Sequence, residues 1–454
     1  MEIMQLLKEK RFTELKPALS SMQPADIAAL TEGLSEEDKA LLFRILPKET
    51  AAETFVELDS HTQEMLIASF TKKELKAVFD ELFVDDTVDI IEEMPANVAK
   101  RIIESADEQT RKEISEILKY PADSAGSIMT TEYVNLKENM TVGEAFKRIK
   151  ETGVNKETVY TCYVTDASRK LLGYVTIRSM LIAETNLKIT DIMQRDAVFA
   201  MTAEDREVVA KRLVKYGFVA LPVVDGEGCL VGIITADDVM EVIKEENTED
   251  IHLMHAVAPI EEPYLKTSVF VHWRKRIVWL ILLMVSGILT GLVITRYENV
   301  FAALPLVVAF IPRLMDTGGN SASQCSAMII RGMALDEIEK KHFLKAFIKE
   351  LGVGSLAGVT LAVANIPLVW IMFSANLTSL QVWYLCLAFG LTLFIVVVMS
   401  KLLGVVLPFI AKLVKIDPAL ISMPIITTIV DVLSVLIYFV IIQWLVIPHF
   451  MPLS

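Results

Sequence analysis

Residues 419–447, ALISMPIITTIVDVLSVLIYFVIIQWLVI, are apolar over a length that can cross a lipid bilayer. A helix needs about 20 such residues to span about 30 Å of hydrocarbon. Similar stretches precede it at 277–294, 300–330, 347–373 and 382–407. The sequence therefore predicts a five-span α-helical transmembrane domain over residues 273–454, in which the long second and fourth spans are broken or tilted.

Charge is divided unevenly between the two halves of this chain of 454 residues, whose formal net charge is −14. Residues 1–260 hold 30 Lys and Arg against 48 Asp and Glu, whereas residues 261–454 hold 14 against 10. An acidic soluble half repels nucleic acid and anionic lipid, and it attracts cations. We therefore expect cations as partners and no nucleic acid, and we expect membrane lipid to contact the apolar half.

Basic residues lie in the segments on one side of the predicted spans. They are Arg274, Lys275, Arg276, Arg331, Lys340, Lys341, Lys345, Lys349, Lys412 and Lys415. Cytoplasmic loops of membrane proteins are enriched in Lys and Arg. This asymmetry predicts a multi-pass protein of the cell membrane, with its N-terminal half in the cytosol and its C-terminus outside.

Two carboxylates, Asp316 and Asp431, stand out within the predicted spans, where ionisable groups are costly and usually functional. Asp431 has no basic neighbour on its helix, and Thr427 and Thr428 precede it by one turn. Asp316 lies in IPRLMDTGGNSASQ, together with Asn320 and Gln324. We expect these six residues to line an ion pathway. The alternatives are a structural pair of Asp316 with Arg313, three residues earlier, and a neutral buried acid at Asp431.

The ligand types narrow the choice of ion. Carboxylate, hydroxyl, amide and carbonyl oxygens are hard donors that suit Mg²⁺, Ca²⁺ or Mn²⁺. A single carboxylate per chain does not offset the free energy needed to remove the hydration water of Mg²⁺. Two chains that each supply Asp431 on a shared axis could hold hydrated Mg²⁺ through its waters.

Residues 1–123 have apolar positions at helical spacing, with breaks at Pro24, Ser35, Pro47, Thr71 and Pro95. This pattern predicts a superhelix of short helices.

The segment FVDDTVDIIEEM places Asp85, Asp86 and Asp89 close together. A solvated acidic face is one interpretation. A cation site is the other, because clustered acids repel and a cation relieves the repulsion.

An internal repeat follows, since SIMTTEYVNLKENMTVGEAF is echoed by DIMQRDAVFAMTAEDREVVA. The β-rich segments in each copy predict an α/β fold. The two copies, 124–187 and 188–245, resemble a tandem pair of CBS modules. Such modules commonly sense adenine nucleotides or ions, and Asp238 is similar to the ribose-contacting Asp of nucleotide-binding members.

Residues 246–272 form a predicted connecting helix, reached through a run of acids. Asp238, Glu241, Glu245 and Glu249 recur at spacings of three and four, which places them on one helical face. We interpret this face as a cation-sensing connection between the two halves, with a solvated linker helix as the alternative.

His252 and His255 are weak evidence for zinc, because two lone His on a helix are usually surface residues.

The strings YPADSAGSIMTTEYV, NTEDIHLMHAV, TGGNSASQ and DPALISMPIITTIVD resemble the MgtE family of bacterial magnesium channels. The resemblance covers nearly the whole chain. It implies a homodimer with one pathway on the two-fold axis, Asp431 as the pore carboxylate, and ATP as a ligand of the CBS modules. It also implies a regulatory Mg²⁺ sensor formed by Asp85, Asp86, Asp89, Asp225, Asp237, Asp238, Glu241, Glu245, Glu249 and Asp250.

These observations predict a Mg²⁺-selective channel that closes when cytosolic Mg²⁺ binds the sensor acids. Ala322, Met423 and Asp316 depart from the family pattern, so a Na⁺-coupled exchanger or a broader Mn²⁺ and Co²⁺ transporter remains an alternative. A membrane-anchored regulator that carries no ion is another. An enzyme is disfavoured, because the chain has no Ser/His/Asp set, GxxxxGK[ST] loop or HExxH motif.

Overall fold

A computed structural model describes residues 2–153, 156–260, 264–265, 267–420 and 423–450. Parts of the predicted first CBS module (154–155), connector (261–263 and 266) and fifth span (421–422) lie outside the described residues. The chain separates into two compact units, Met1–Glu246 and Asn247–Ser454. Each unit has its own apolar core.

The first unit opens with short helices of seven to ten residues. In the described part of residues 1–123 these are α1 (Glu2–Lys8), α2 (Phe12–Ser20), α3 (Pro24–Thr31), α4 (Glu36–Ile45), α5 (Lys48–Val56), α6 (Ser60–Ser69), α7 (Lys72–Phe79), α8 (Val84–Glu93), α9 (Ala96–Ser105) and α10 (Glu108–Ile117). Helix α5 packs against α3 and α7, α7 packs against α9, and α4 packs against α6. Contacts between helices two positions apart give the stacked arrangement expected of a superhelix.

The five predicted breaks all mark helix starts. Pro24 is the first residue of α3, Ser35 and Thr71 are the N-caps of α4 and α7, and Pro47 and Pro95 directly precede α5 and α9. The backbone N–H of Asp38 donates to the Ser35 hydroxyl at 3.3 Å. Such caps satisfy backbone donors that a helix start leaves unpaired, which is why the helices begin at these residues.

The rest of the first unit repeats one α/β pattern, which confirms the internal repeat. The first copy runs β1 (Tyr133–Lys137), α11 (Val142–Thr152), β2 (Thr158–Thr165), β3 (Leu171–Thr176) and α12 (Ile177–Ile182). The second runs α13 (Ile189–Ile192), β4 (Ala200–Met201), α14 (Arg206–Tyr216), β5 (Ala220–Val224), β6 (Leu230–Thr235) and α15 (Ala236–Met254). In both sheets the first pair of strands is parallel and the second pair is antiparallel.

Backbone hydrogen bonds join the two copies. The N–H of Leu230 donates to the carbonyl of Arg169 at 2.9 Å, and the N–H of Leu171 donates to the carbonyl of Gly228 at 3.1 Å. Tyr163, Ala220, Leu230 and Ile233 form a buried cluster beside these bonds. The paired modules are therefore one body within the first unit. Their last helix, α15, is continuous across the predicted boundary between residues 245 and 246.

The second unit is helical in its described residues. Its α-helices are α16 (Val269–Arg296), α17 (Glu298–Ala303), α18 (Ile311–Ala334), α19 (Phe343–Phe373), α20 (Ser379–Leu413), α21 (Met423–Ile441) and α22 (Ile447–Phe450). A 3₁₀ segment, Pro305–Phe310, precedes α18, and a π-helical segment, Ile442–Val446, joins α21 to α22.

Four helical stretches in the described residues are long and apolar enough to cross a membrane: Val269–Arg296, Lys340–Phe373, Ser379–Leu413 and Met423–Phe450. They overlap the first, third, fourth and fifth predicted spans. The second predicted span, 300–330, is broken at Pro305 and continues as α18, whose polar residues lower its hydropathy. The predicted count of five spans is therefore not confirmed, although the predicted break in the second one is found.

Helix α20 lies at the centre of the second unit, where it packs against α18, α19 and α21. Close packing depends on small residues. A Cβ atom added to Gly404 of α20 would lie 2.8 Å from the carbonyl oxygen of Ala322 on α18. Helix α16 contacts α21 and leaves apolar side chains such as Val278 and Leu289 exposed. An apolar exposed helix is the surface expected to face lipid.

Candidate ion pathway and cation sites

The predicted pathway residues lie on two helices in direct contact, α18 and α21. A Cβ atom added to Gly319 would lie 2.7 Å from Cγ2 of Thr427, so the absence of a side chain at Gly319 sets the approach of the helices. Across the same contact, the hydroxyl oxygens of Ser323 and Thr427 are 3.5 Å apart. Small residues thus bring the polar signature of α18 beside the segment that leads to Asp431.

Asp431 lies in the middle of α21, and its Oδ1 atom is buried. This oxygen has no hydrogen-bond partner among the described residues. The residues before it are already bonded within their own helix, since Thr427 donates to the carbonyl of Met423 and Thr428 to that of Pro424, both at 2.9 Å. Their oxygen lone pairs remain acceptors. The Asp431 carboxylate is therefore available to a cation or to its hydration water.

A polar line runs along α18. Asp316, Asn320 and Gln324 are separated by four residues each, which places them on one face, and all three are exposed in the single chain. The amide of Asn320 donates to Oδ1 of Asp316 at 3.0 Å. Arg313 instead donates to Oδ1 of Asn365 on α19 at 2.7 Å. No ion pair between Arg313 and Asp316 is found in the described residues, so the structure does not support the alternative interpretation of Asp316.

In the first unit, α8 and the start of α15 bring acids together. Asp85 is 5% exposed, and its Oδ1 atom has no partner among the described residues. Asp238 of α15 is the carboxylate that acts most strongly on Asp85, Asp86 and Asp89. Asp237 and Glu241 act on Asp86 as well. The structure therefore assembles six of the predicted sensor acids into one cluster, which we call the α8–α15 acid cluster: Asp85, Asp86, Asp89, Asp237, Asp238 and Glu241.

Proton affinities in the α8–α15 acid cluster are raised. Burial, followed by repulsion from Asp238, raises the pKa of Asp86 to about 7 and that of Asp89 to about 8. The same two causes raise the pKa of Asp85 well above its usual value. For Asp238 burial raises the pKa, although hydrogen bonds from Thr235 oppose the shift. Packing like charges where hydration is restricted disfavours their ionised forms, and a bound cation would reverse this.

Two of the remaining predicted sensor acids have other partners in the first unit. Asp225 accepts from the N–H groups of Glu227 and Cys229, each at 2.9 Å, and so holds the turn between β5 and β6. Glu245 forms an ion pair of 2.9 Å with Arg206. Glu249 and Asp250 lie in the second unit, on the last turns of α15.

The structure also bears on a compact metal site and on the predicted histidine pair, His252 and His255. Among the described residues, no group of three or more His, Cys, Asp or Glu is placed closely enough to hold a metal ion. The Nδ1 atom of His255 lies 2.8 Å from the carbonyl oxygen of Ile251, so this ring is engaged with its own helix.

Comparison with known families accounts for most of the chain. A family model described as a divalent cation transporter matches residues 311–441, which contain α18 to α21. The model of the MgtE intracellular N domain matches residues 22–123. The CBS domain model matches twice, at 125–185 and 189–245.

Full-length relatives agree with these matches. The magnesium transporter MgtE of Thermus thermophilus is 32% identical over 96% of both chains. The chain belongs to the MgtE family of transporters. MgtE of Bacillus subtilis is 28% identical over 97% of this chain and 95% of its own. MgtE relatives are membrane transporters and not enzymes, which confirms the expected class of protein and its location in a membrane.

Solved structures of MgtE cytosolic regions resemble the first unit. One is the cytosolic domain of the Mg²⁺ channel MgtE in complex with ATP, which is 33% identical with a TM-score of 0.51 and covers 53% of this chain and 98% of its own. Another, the soluble part of a magnesium transporter, is 26% identical with the same TM-score of 0.51 and covers 54% of this chain and 96% of its own. The predicted helical domain followed by a CBS pair is confirmed.

Two acids near the α8–α15 acid cluster were missed by the sequence interpretation. Glu132 and Glu157 belong to the first CBS module, and each acts on Asp85 or Asp86. Burial and then Asp237 raise the pKa of Glu157 to about 8. Neither residue belongs to an acidic run. The only available signal was a Glu directly before a strand, at Glu132 before Tyr133 and Glu157 before Thr158.

Proposed function

We propose that this protein is a Mg²⁺ channel that carries the ion into the cell down its electrochemical gradient. The carboxylate of Asp431 carries the proposal, because one of its oxygens is buried without a protein partner in the described residues. A membrane carboxylate in this state attracts a hard divalent cation. Thr427 and Thr428 add oxygen ligands one turn away, and Asn320 and Gln324 on α18 add amides.

The proposed channel is a homodimer. Asp316, Asn320 and Gln324 form a polar exposed face on α18, and such a face is unfavourable against lipid. A second copy covers this face if the α18 and α21 helices of both chains surround one axis. Two Asp431 carboxylates then face each other across hydrated Mg²⁺, as a shared site for an ion that keeps its waters requires.

In this proposal α18 is the second of five membrane spans, and it is buried between the rest of the protein and the pathway. Residues 1–123 and the modules 124–187 and 188–245 form a cytosolic sensor. Residues 246–272 transmit its state to the pathway in residues 273–454. The basic segments before α16, between α18 and α19 and after α20 favour a cytosolic N-terminal half and an outside C-terminus.

The α8–α15 acid cluster is the proposed closing switch. At high internal Mg²⁺, bound ions cancel the repulsion between α8 and the start of α15, and the sensor becomes compact. At low Mg²⁺ the acids repel, since a pair of charges 4 Å apart near a protein surface interacts by about 4 kcal/mol. Several such pairs suffice to shift a two-state gate. Glu245, Glu249, Asp250 and Asp225 are proposed as outer ligands of the same sensor.

ATP is the proposed ligand of the CBS pair. Tyr163 lies between the two copies, and its buried hydroxyl has no partner among the described residues. A buried hydroxyl without a partner fits a site that a polar ligand completes. Asp238 is the proposed ribose contact, although its Oδ2 atom already accepts from the Thr235 hydroxyl at 2.6 Å.

Asp316 favours a second candidate, a Na⁺-coupled exchanger or a transporter for other divalent cations such as Mn²⁺ and Co²⁺. Its carboxylate is exposed on the polar line of α18, beside Asn320. An additional negative charge in the pathway would provide a site for a coupling ion.

Flux into proteoliposomes with a trapped Mg²⁺ dye tests the proposal. The purified protein should give fast Mg²⁺ entry that is independent of Na⁺ and suppressed by internal Mg²⁺. Asp431→Ala should abolish entry, whereas Asp336→Asn, a carboxylate change in the loop after α18, should preserve it. Entry that requires a Na⁺ gradient would select the exchanger. No flux from either protein would favour a regulator that carries no ion.

A further inference from the structure

Two side chains of opposite charge lie one turn apart on α18, and the structure shows no ion pair between them within its described residues. Arg313 precedes Asp316 by three residues, a spacing at which an arginine and a carboxylate on one helix can meet. In the proposed membrane span their attraction is strong, because charges interact more strongly at a low dielectric constant. Arg313 is nevertheless half-buried and bonded to α19, whereas Asp316 is exposed. The fold therefore holds the two charges apart.

The guanidinium of Arg313 is held by an uncharged residue of another helix. Its Nη1 atom donates to Oδ1 of Asn365 on α19 at 2.7 Å. Asn365 is 3% exposed, so this bond lies inside the protein. A hydrogen bond in which one partner is charged is stronger than a bond between neutral groups. Helices α18 and α19 both pack against α20, and the bond between Arg313 and Asn365 links these two helices directly.

The amide of Asn365 can hold Arg313 in only one orientation. An arginine side chain has donors and no acceptor, so it must face the carbonyl oxygen of the amide and not its NH₂ group. The Nδ2 atom of Asn365 is buried and has no hydrogen-bond partner in the described part of the chain. Leaving a buried donor unpaired is unfavourable. The orientation of this amide is therefore set by Arg313.

Asp316 is likewise bonded to an asparagine. The amide of Asn320, one turn later on α18, donates to Oδ1 of Asp316 at 3.0 Å. An amide donor leaves the negative charge of the carboxylate in place, whereas an arginine would neutralise it. Two asparagines thus bind the two charges separately, since Asn365 accepts from the guanidinium and Asn320 donates to the carboxylate. Asp316 keeps its charge on the polar line of α18.

We propose that Asn365 is a positioning residue for ion selection, which holds Arg313 beside α19 so that Asp316 can attract a divalent cation. The inference rests on the proposed ion pathway and extends it, because it gives a buried amide outside the polar line a role in selectivity. Without Asn365, the guanidinium would turn to the carboxylate three residues later and compete with the cation. An arginine stays charged at any physiological pH, so this competition would be permanent.

The ratio of Mg²⁺ to Na⁺ flux into proteoliposomes tests this role. Asn365→Leu, which is close in volume and lacks the acceptor, should lower the ratio about tenfold, the scale on which a neighbouring opposite charge changes the proton affinity of a carboxylate. Asn365→Asp retains an acceptor for the guanidinium and should keep the ratio of the unchanged protein. Asn376→Leu, the same change at an exposed position after α19, should keep it as well.

Two double variants separate positioning from packing. Arg313→Gln should restore the flux ratio of Asn365→Leu, because the competing charge is gone. In an Asp316→Asn background, Asn365→Leu should have no further effect on the ratio, because the carboxylate that Arg313 would neutralise is absent. A merely structural role of Asn365 would instead lower stability and total flux in both backgrounds and leave the ratio unchanged.

The remaining outcomes count against this role. A flux ratio in Asn365→Leu that equals that of the unchanged protein, or that Arg313→Gln fails to restore, would overturn the role of Asn365 and leave the proposed channel intact. An unchanged ratio in Asp316→Asn alone would overturn it too, while entry past Asp431 would stand. No Mg²⁺ flux from the unchanged protein would overturn the proposed channel as well. Thermal unfolding checks that the variants fold, and Asn365→Ala replaces Asn365→Leu if the latter does not.

Discussion

A Cβ atom on Gly318 of α18 would lie 2.9 Å from Cγ1 of Val430 on α21, the residue that precedes Asp431. It would also lie 2.9 Å from Cγ1 of Val396 and 3.0 Å from Oγ of Ser434. Helices α20 and α21 therefore leave no room for a side chain at Gly318. We predict that Gly318→Ala lowers the free energy of unfolding by about 1–3 kcal/mol, the usual cost of overpacking. It should reduce Mg²⁺ flux as well, since α21 must shift to make room.

The matched control is Gly287→Ala. Gly287 lies on α16, where an added Cβ meets no atom within 4 Å. Thermal unfolding in detergent should show a loss of stability for Gly318→Ala and no loss for Gly287→Ala, where alanine is also the better helix former. Equal stability of the two variants would mean that α18 and α21 are less tightly packed than described.

Stability should depend on pH through the α8–α15 acid cluster. The pKa values of Asp86 and Asp89 are raised from 3.8 to about 7 and about 8. Raised values mean that the folded cluster holds protons which the unfolded chain releases. The resulting stabilisation is complete below about pH 4 and is lost as the pH rises through 7 to 8. We predict that, without divalent cations, the unfolding temperature falls between pH 6 and pH 8.5.

Two comparisons check this prediction by circular dichroism. Mg²⁺ should reduce the fall at high pH, because the cation replaces the lost protons. The double variant Asp86→Asn, Asp89→Asn should show a flatter profile in the absence of Mg²⁺. An unfolding temperature that rises with pH over this range would contradict the assignment of raised pKa values.

Arg206, the first residue of α14, is a positively charged side chain held by three acids. It forms ion pairs with Glu245 at 2.9 Å, Glu246 at 3.1 Å and Asp123 at 3.7 Å. Removing one partner of a partly buried charge network leaves the others uncompensated. We predict that Arg206→Gln lowers the unfolding temperature without Mg²⁺ and that millimolar Mg²⁺ restores much of the loss. Arg195→Gln, a change at an exposed arginine of the second CBS copy, should have little effect.

The charge at Asp316 should influence ion selection more than folding. Its carboxylate is exposed on α18 and accepts a hydrogen bond from Asn320, and the carbonyl oxygen of an amide side chain at this position could accept the same bond. Asp316→Asn should therefore retain the unfolding temperature and reduce the preference for divalent over monovalent cations. Flux of Mg²⁺ against Na⁺ in proteoliposomes measures this ratio. A ratio equal to that of the unchanged protein would place Asp316 outside the pathway.

Local signals predicted the fold well. Pro24, Ser35, Pro47, Thr71 and Pro95 mark helix starts because capping and proline chemistry act within one turn. The CBS repeat was visible because each copy has the same strand and helix pattern. The second predicted span was harder to assign, since α18 carries Asp316, Asn320 and Gln324 and these polar residues lower the hydropathy that identifies a span.

The acid cluster was predicted only in part. Asp85, Asp86 and Asp89 form a run that the sequence displays, and the structure places them against Asp238. Glu132 and Glu157 reach the same region through the pairing of β1 with β2, which brings residues 25 positions apart side by side. Asp225 was expected among the sensor acids, and its two bonds to the turn at Glu227 and Cys229 depend on local geometry that charge spacing does not encode.

The length of α20 gives the bilayer itself a role. Its 35 residues extend about 52 Å at 1.5 Å per residue, well beyond a hydrocarbon layer of about 30 Å. Lys401, 7% exposed, interrupts the apolar run, and its carbonyl accepts from the thiol of Cys325 on α18 at 3.2 Å. A thinner or thicker membrane would change how deep Lys401 lies in the hydrocarbon layer. We expect α20 to shift in response, and α18 to shift with α20 because the two helices are in contact. We therefore expect acyl-chain length to influence transport, as a ligand acting from the lipid phase would.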